Sequence, residues 1–335
     1  MTMGFKHSFA AAVALSLGLA TARDIPSNVQ DFYDSVMNQR QCENELATGF
    51  TSIAGEDDST SPPSINENEE STSNASTPGF VYCGHNLNTS SSIIYLQGRS
   101  GDLANMDICC DGIQGSPADD GRCESSPTTQ SITAFQWIIE SYGTNQTDLD
   151  ANVHPYIVFG NVGDSPDWPS FDPQAYGIEP LSVMAVICNN TLFYGVWGDM
   201  NGDDGDDAMV GEASISLATA CFGRYVSGNY GYNHNDILYI GFPGVDAVPG
   251  ADGAAWTAQN FEDFEASIAE LGDSLIERIT TRSEEPEDGG DGNGDETDGD
   301  DDGDNPDDVE GSEESSGSKA FRAPLGFEQL RGWLG

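Results

Sequence analysis

The chain has 335 residues, of which 57 are Asp or Glu and only 11 are Lys or Arg, giving a formal net charge of −46 at pH 7. Such a polyanion repels nucleic acid and anionic membrane surfaces, and attracts polycations over distances that salt shortens. Residues 284–314 hold 17 of the acidic groups and no Lys or Arg, so −29 remains on the rest of the chain and the acidity is not confined to one tract.

The N-terminus carries Lys6 and His7, then an apolar run from Phe9 to Ala20, then Ala20-Thr21-Ala22 before Arg23. This order predicts a secretory signal peptide over residues 1–22. The run is well short of the ~20 apolar residues that a spanning helix needs, so no membrane partner is expected. Seven cysteines without a CxxC pair fit an oxidised, exported chain in which one thiol is left over, and six paired cysteines allow 15 connectivities. Sequons at Asn74, Asn88, Asn145 and Asn189 fit the same route and predict a glycoprotein.

Val29, Phe32, Tyr33, Val36 and Met37 recur at helical spacing and predict a first helix over residues 28–40. Residues 51–78 are rich in Ser, Thr, Pro and Glu with almost no large apolar side chain, and read as a flexible insertion. Short apolar runs bounded by Gly, Pro, Asn or Asp predict strands over 92–96, 155–159, 181–187, 192–197 and 237–242. Helical patterns cover 133–142, 212–222 and 260–278, the last with Phe261, Phe264, Ile268, Leu271, Leu275 and Ile279 on one face. The order of elements predicts an α+β, β-rich single domain over residues 23–282, barrel-like, flanked by helices and cross-linked by disulfides. A Gly/Asp tract over 283–318 is expected to be disordered, followed by a short amphipathic segment over 319–335.

Breaking a glycosidic bond takes two carboxyl groups across it. Asp199 follows a predicted strand ending in Trp197-Gly198, and Glu212 follows Gly211 after a Gly/Asp-rich loop, so both stand where a rigid element meets a loop. Taken alone, Asp199 is equally a turn residue and Glu212 a first-turn helix carboxylate. The four histidines show no HExxH pattern, and the 291–296 stretch has Glu296 where a calcium loop needs glycine. No metal and no cofactor are therefore expected.

The segments LDANVHPYIVFGN (149–161), IEPLSVMAVICNNTLFYGVWGDMNG (178–202), VGEASISLATACF (210–222), NDILYIGF (235–242) and DAVPGA (246–251) together resemble the fungal chitosanases of glycoside hydrolase family 75. The resemblance implies a secreted, extracellular endo-hydrolase of chitosan that inverts configuration, with Asp199 and Glu212 as the essential carboxylates. Glu212 is expected as general acid and Asp199 as base. Chitosan is a polycation, which matches the acidic body. Asp107, Asp111, Asp203 and Asp204, with Asp206 and Asp207, are expected to bind ammonium groups, and Trp197 and Tyr194 to stack on sugar rings. A monomer is expected. The chain departs from the family pattern at Cys109 and His85, each standing where an aspartate is usual, and Cys109 is the expected odd thiol. The rival readings are a non-catalytic polycation- or cell-wall-binding protein of the same fold, and a hydrolase of a more acetylated glycan.

Because the charge run that follows the last predicted helix has no core-forming residues, removal of 284–335 is expected to leave cooperative thermal unfolding intact and to change only binding to long polycations at low salt. Loss of a cooperative transition would place the domain boundary elsewhere.

Overall fold

The structure is a computed structural model that describes residues 23–52, 77–98, 101–123, 126, 128–202, 205 and 208–280. The expected signal peptide, most of the expected insertion, the Gly/Asp tract and the C-terminal segment lie outside the described residues, as do Asp203, Asp204, Asp206 and Asp207.

Helix α1 (Ser27–Asn38) buries Val29, Phe32 and Val36, the apolar stripe of the sequence. Strand β1 (Glu45–Ser52) runs two residues into the expected insertion, and β2 (Thr77–His85) begins inside its far end. Then follow β3 (Ile93–Gln97), β4 (Ala104–Cys109), α2 (Gln136–Ser141) and β5 (Tyr156–Asn161). Strands β6 (Val183–Cys188) and β7 (Thr191–Asn201) form a hairpin. Its two-residue turn, Asn189-Asn190, takes positive φ at both positions, which Asn tolerates and the twist of a hairpin favours. The last described elements are β8 (Glu212–Ser214), α3 (Ile215–Phe222), β9 (Tyr232–Gly241) and α4 (Phe261–Ile276).

All nine strands join one sheet in the order β1-β2-β3-β9-β4-β8-β5-β7-β6, and β6 pairs back onto β9. The run β9-β4-β8-β5-β7-β6 is therefore a closed six-stranded ring, while β3, β2 and β1 continue outward from the second half of β9. Closure leaves these six strands no free edge over their paired residues. The α+β, β-rich expectation holds.

One expectation is corrected, and several strands were not foreseen. Glu212 opens a three-residue strand rather than a helix, and α3 starts three residues later, with the Ser214 hydroxyl accepting from the Leu217 amide at its N-terminus. Strands β1, β2, β4 and β8 carry no long apolar run and were not legible as strands. They are set by pairing with neighbours rather than by their own pattern.

Three disulfides cross-link the domain. Cys42–Cys83 ties the α1–β1 connection to β2, Cys110–Cys123 closes the segment after β4, and Cys188–Cys221 ties β6 to α3. Cys109 is the free thiol and is buried. A thiol reagent is therefore expected to find no reactive group in the native protein and one per chain after denaturation. Reducing the bridges should lower the melting temperature, since each typically stabilises by ~2–4 kcal/mol. Three thiols after denaturation without reductant would mean that one bridge does not form.

Candidate active site

Strand β5 lies between β7, which it pairs in parallel, and β8, which it pairs antiparallel. Along β5 and β7, Ile157 faces Trp197 but Val158 faces Asp199, so Gly198 is one residue extra on β7. This is a β-bulge, a device that re-aims a side chain. Only glycine fits there: a Cβ on residue 198 would come within 2.5 Å of both Leu149 Cδ1 and Tyr156 Cβ. Gly211, just before Glu212, takes φ 86° and lies against Asn105, again excluding a side chain.

Val158 also faces Glu212 on β8, and Glu212 faces Asp107 on β4. Asp107, Glu212, Val158 and Asp199 thus form one row across four neighbouring strands. With strands ~4.8 Å apart, the backbones of Asp107 and Glu212 are about 5 Å apart and those of Glu212 and Asp199 about 9–10 Å apart. The loop between β7 and β8 is held on its return leg. The Thr51 amide donates to the Ala208 carbonyl, the Val210 amide donates to the Thr51 carbonyl, and the Asn161 side chain donates to the Met209 carbonyl.

Each carboxylate has distinct partners. Asp199 is 6% exposed, and its Oδ1 accepts from the amides of Ala134 at 2.9 Å and Met200 at 2.8 Å. Glu212 Oε2 accepts from Asn201 Nδ2 at 3.2 Å. Asp111 Oδ1 accepts from the Gln130 amide at 2.6 Å, and buried Asp148 accepts from the amides of Thr133 and Leu149 and from the Thr133 hydroxyl. Three amides of one segment, residues 130–134, therefore hold Asp111, Asp148 and Asp199. Tyr156 donates its hydroxyl to the Asp111 carbonyl at 3.0 Å and lies 3.2 Å from Cys109 Sγ.

No ion pair among the described residues involves any of these acids; the arginines pair instead with Glu265, Asp120 and Asp246. Burial, and next the Asp111 charge, push Asp199 up to about 8, against the pull of the Ala134 and Met200 amides. Burial, and next the Asp107 charge, push Glu212 up to about 8, against the Asn201 amide. Asp111 rises to about 6 through burial, and Asp107 is raised for the same reason. These carboxyl groups therefore retain protons for want of a nearby cation among the described residues. Cys109, Asp111 and Asp199 bring donor atoms within 4.8 Å of one another, yet each has a protein partner, and we assign no metal to them.

Of the residues singled out from sequence, Asp107, Asp111, Asp199 and Glu212 come together. Trp197 and Tyr194 do not offer a ring to a ligand. Trp197 is 1% exposed, edge-on to Phe135, with its indole N–H on the Asp199 carbonyl. Tyr194 is fully buried under the Arg23 guanidinium and donates to Asp273. His85 lines a cavity of about 410 Å³ beside α1 that shares no residue with the carboxylate row. Asn201, Asp148, Thr133 and Tyr156 were missed. Asn201 alone had a legible signal, two residues beyond Asp199 on the same strand.

Residues 106–278, which include the whole carboxylate row, match the family model described as fungal chitosanase of glycosyl hydrolase group 75. An endo-chitosanase B of Aspergillus oryzae is 42% identical over 266 residues, covering 79% of this chain and 95% of the relative. An endo-chitosanase of Aspergillus fumigatus is 42% identical over 265 residues, covering 79% of this chain and 94% of the relative. An endo-chitosanase C of Aspergillus oryzae is 31% identical over 175 residues, 52% of this chain and 38% of the relative. With relatives aligned nearly end to end and the family match running from β4 to the close of α4, this chain belongs to the fungal chitosanases of glycosyl hydrolase group 75.

Proposed function

We propose that this protein is a secreted endo-chitosanase that hydrolyses β-1,4-linked glucosamine polymers with inversion, using Asp199 as base and Glu212 as acid. The observation that carries the reading is the cation-free carboxylate row, in which the two groups have unlike surroundings. Two backbone amides on one oxygen favour the ionised form of Asp199, as a base requires. The Asp107 carboxylate on the next strand favours the protonated form of Glu212, as an acid requires. Glucosamine ammonium groups entering the cleft supply the missing positive charge and lower the Asp199 pKa, so the substrate itself readies the base.

In this mechanism Glu212 gives its proton to the leaving glycosidic oxygen while Asp199 takes a proton from the water attacking the anomeric carbon on the opposite face. Backbones about 9–10 Å apart leave room for a water between base and sugar, and so favour the ~6.5–9.5 Å carboxyl separation of inverting enzymes. The names of the relatives support chitosan as substrate. Three disulfides and the N-terminal pattern of residues 1–22 support export.

Asp199→Asn and Glu212→Gln are each expected to lower turnover of chitosan by ~10²–10⁴-fold while binding of oligomers and thermal stability stay near the parent's. Proton NMR of fresh products should show the inverted anomer first. Azide should restore activity to the Asn variant, yielding a glycosyl azide of inverted configuration, and not to the Gln variant. Near-parent turnover in either variant would refute the pair, and a reversed azide pattern would refute the assignment of roles.

The Asp107 charge gives a pH test. Removing it in Asp107→Asn lowers the Glu212 pKa, so the acid loses its proton sooner as pH rises. The alkaline limb of the kcat/KM profile is expected to move to lower pH in the variant. An unmoved limb would show that Asp107 does not govern the proton of Glu212.

A further inference from the structure

Trp137 is 61% exposed, and no other tryptophan among the described residues is classed as exposed. It lies on α2, whose first turn is fixed from beneath. Phe135 is buried edge-on against Trp197 at 4.8 Å between ring centres, and Ile139 is fully buried. The Gln136 amide donates to the Thr133 carbonyl and the Ile138 amide to the Phe135 carbonyl, so residues 133–138 form a continuous turn. Ala134, whose amide holds Asp199 Oδ1 at 2.9 Å, is three residues before Trp137. The indole is therefore carried by the same short segment whose backbone fixes Asp199. Ile132, on the same segment, is 41% exposed.

A glucosamine ring has two chemically distinct surfaces, an equatorial rim of hydroxyl and ammonium groups and an axial face of C–H bonds. The carboxylate row complements the rim, but the acids offer nothing to the apolar face. Trp197 and Tyr194 are both closed off in the core. A solvated indole carried by the segment that holds Asp199 meets that requirement, since aromatic side chains present large apolar area at low entropic cost.

Resting on the reading above, we propose that Trp137 is a substrate platform that stacks on a glucosamine ring of the polymer, on the Asp199 side of the scissile bond. The test measures chitosan hexamer binding by calorimetry in the Glu212→Gln background, with and without Trp137→Ala or Trp137→Phe. The Ala variant should bind about tenfold more weakly, corresponding to about 1.4 kcal/mol, and Phe should recover most of that loss. In the active protein, Trp137→Ala should raise KM for hexamer with kcat nearly unchanged. Circular-dichroism melting of each variant checks that the fold is kept. Hexamer affinity and KM unchanged in the Ala variant, or equal losses for Ala and Phe, would overturn the platform while leaving the chitosanase reading standing. A parent protein that neither binds nor cleaves chitosan overturns both.

Discussion

The constraint on which the structure turns is the concentration of carboxylic acids, without a compensating cation among the described residues, on three of four neighbouring strands of a closed ring. Asp107, Glu212 and Asp199 lie on one row, with Asp111 and Asp148 near Asp199 and none in an ion pair among the described residues. Like charges at this spacing repel, and burial penalises them further. The protein accommodates them by leaving Asp199 and Glu212 protonated near neutral pH and by meeting the ionised forms with backbone amides rather than arginines. Under the proposed function, a guanidinium in their place would occupy the site that a cationic substrate needs.

Such an arrangement requires a frame that does not relax away from it. The pairing of β6 with β9 closes the ring, and Cys188–Cys221 ties β6 to α3 directly after β8. The Gly198 bulge brings Asp199 into register with Val158, and the segment 130–134 lays three amides on three acids. The same segment leads into α2, so the element that orients Asp199 also carries the exposed indole of Trp137. The bulge and this segment link core packing to the carboxylates: Trp197 and Phe135 pack edge-on in the core, the Trp197 indole N–H donates to the Asp199 carbonyl, and the Ala134 amide donates to Asp199 Oδ1.

Electrostatics acts at two ranges. The net charge of −46 steers polycations from a distance that salt shortens. In the proposed mechanism the buried row acts at contact, where an ammonium group bound beside Asp199 favours the ionised form that a base requires. Cys109 stays uncharged because burial and the surrounding carboxylates push its thiol well up, so it adds no further negative charge beside the row.

Much was legible in the sequence because local patterns express local physics. The stripe from Val29 to Val36 and the face from Phe261 to Ile276 gave helices, and the apolar runs at 181–187 and 192–197 gave the β6–β7 hairpin. Asp199 and Glu212 were marked by their place at element ends and by the segments shared with the chitosanases. Other features had no local signal. Strand β8 is three residues long and exists through its neighbours β4 and β5, so Glu212 read as the start of a helix. Trp197 and Tyr194 read as sugar platforms because sequence carries no record of which face of a strand meets the core, whereas Trp137 stayed unnoticed in a short helix. Composition, periodicity and family motifs are properties of contiguous residues, and these the sequence by itself determined: an acidic, β-rich, cross-linked chain with two marked carboxylates. Tertiary structure alone decided which carboxylates become neighbours, which amides hold them and which aromatic ring remains in water, because those depend on strand order and ring closure between residues far apart in the chain.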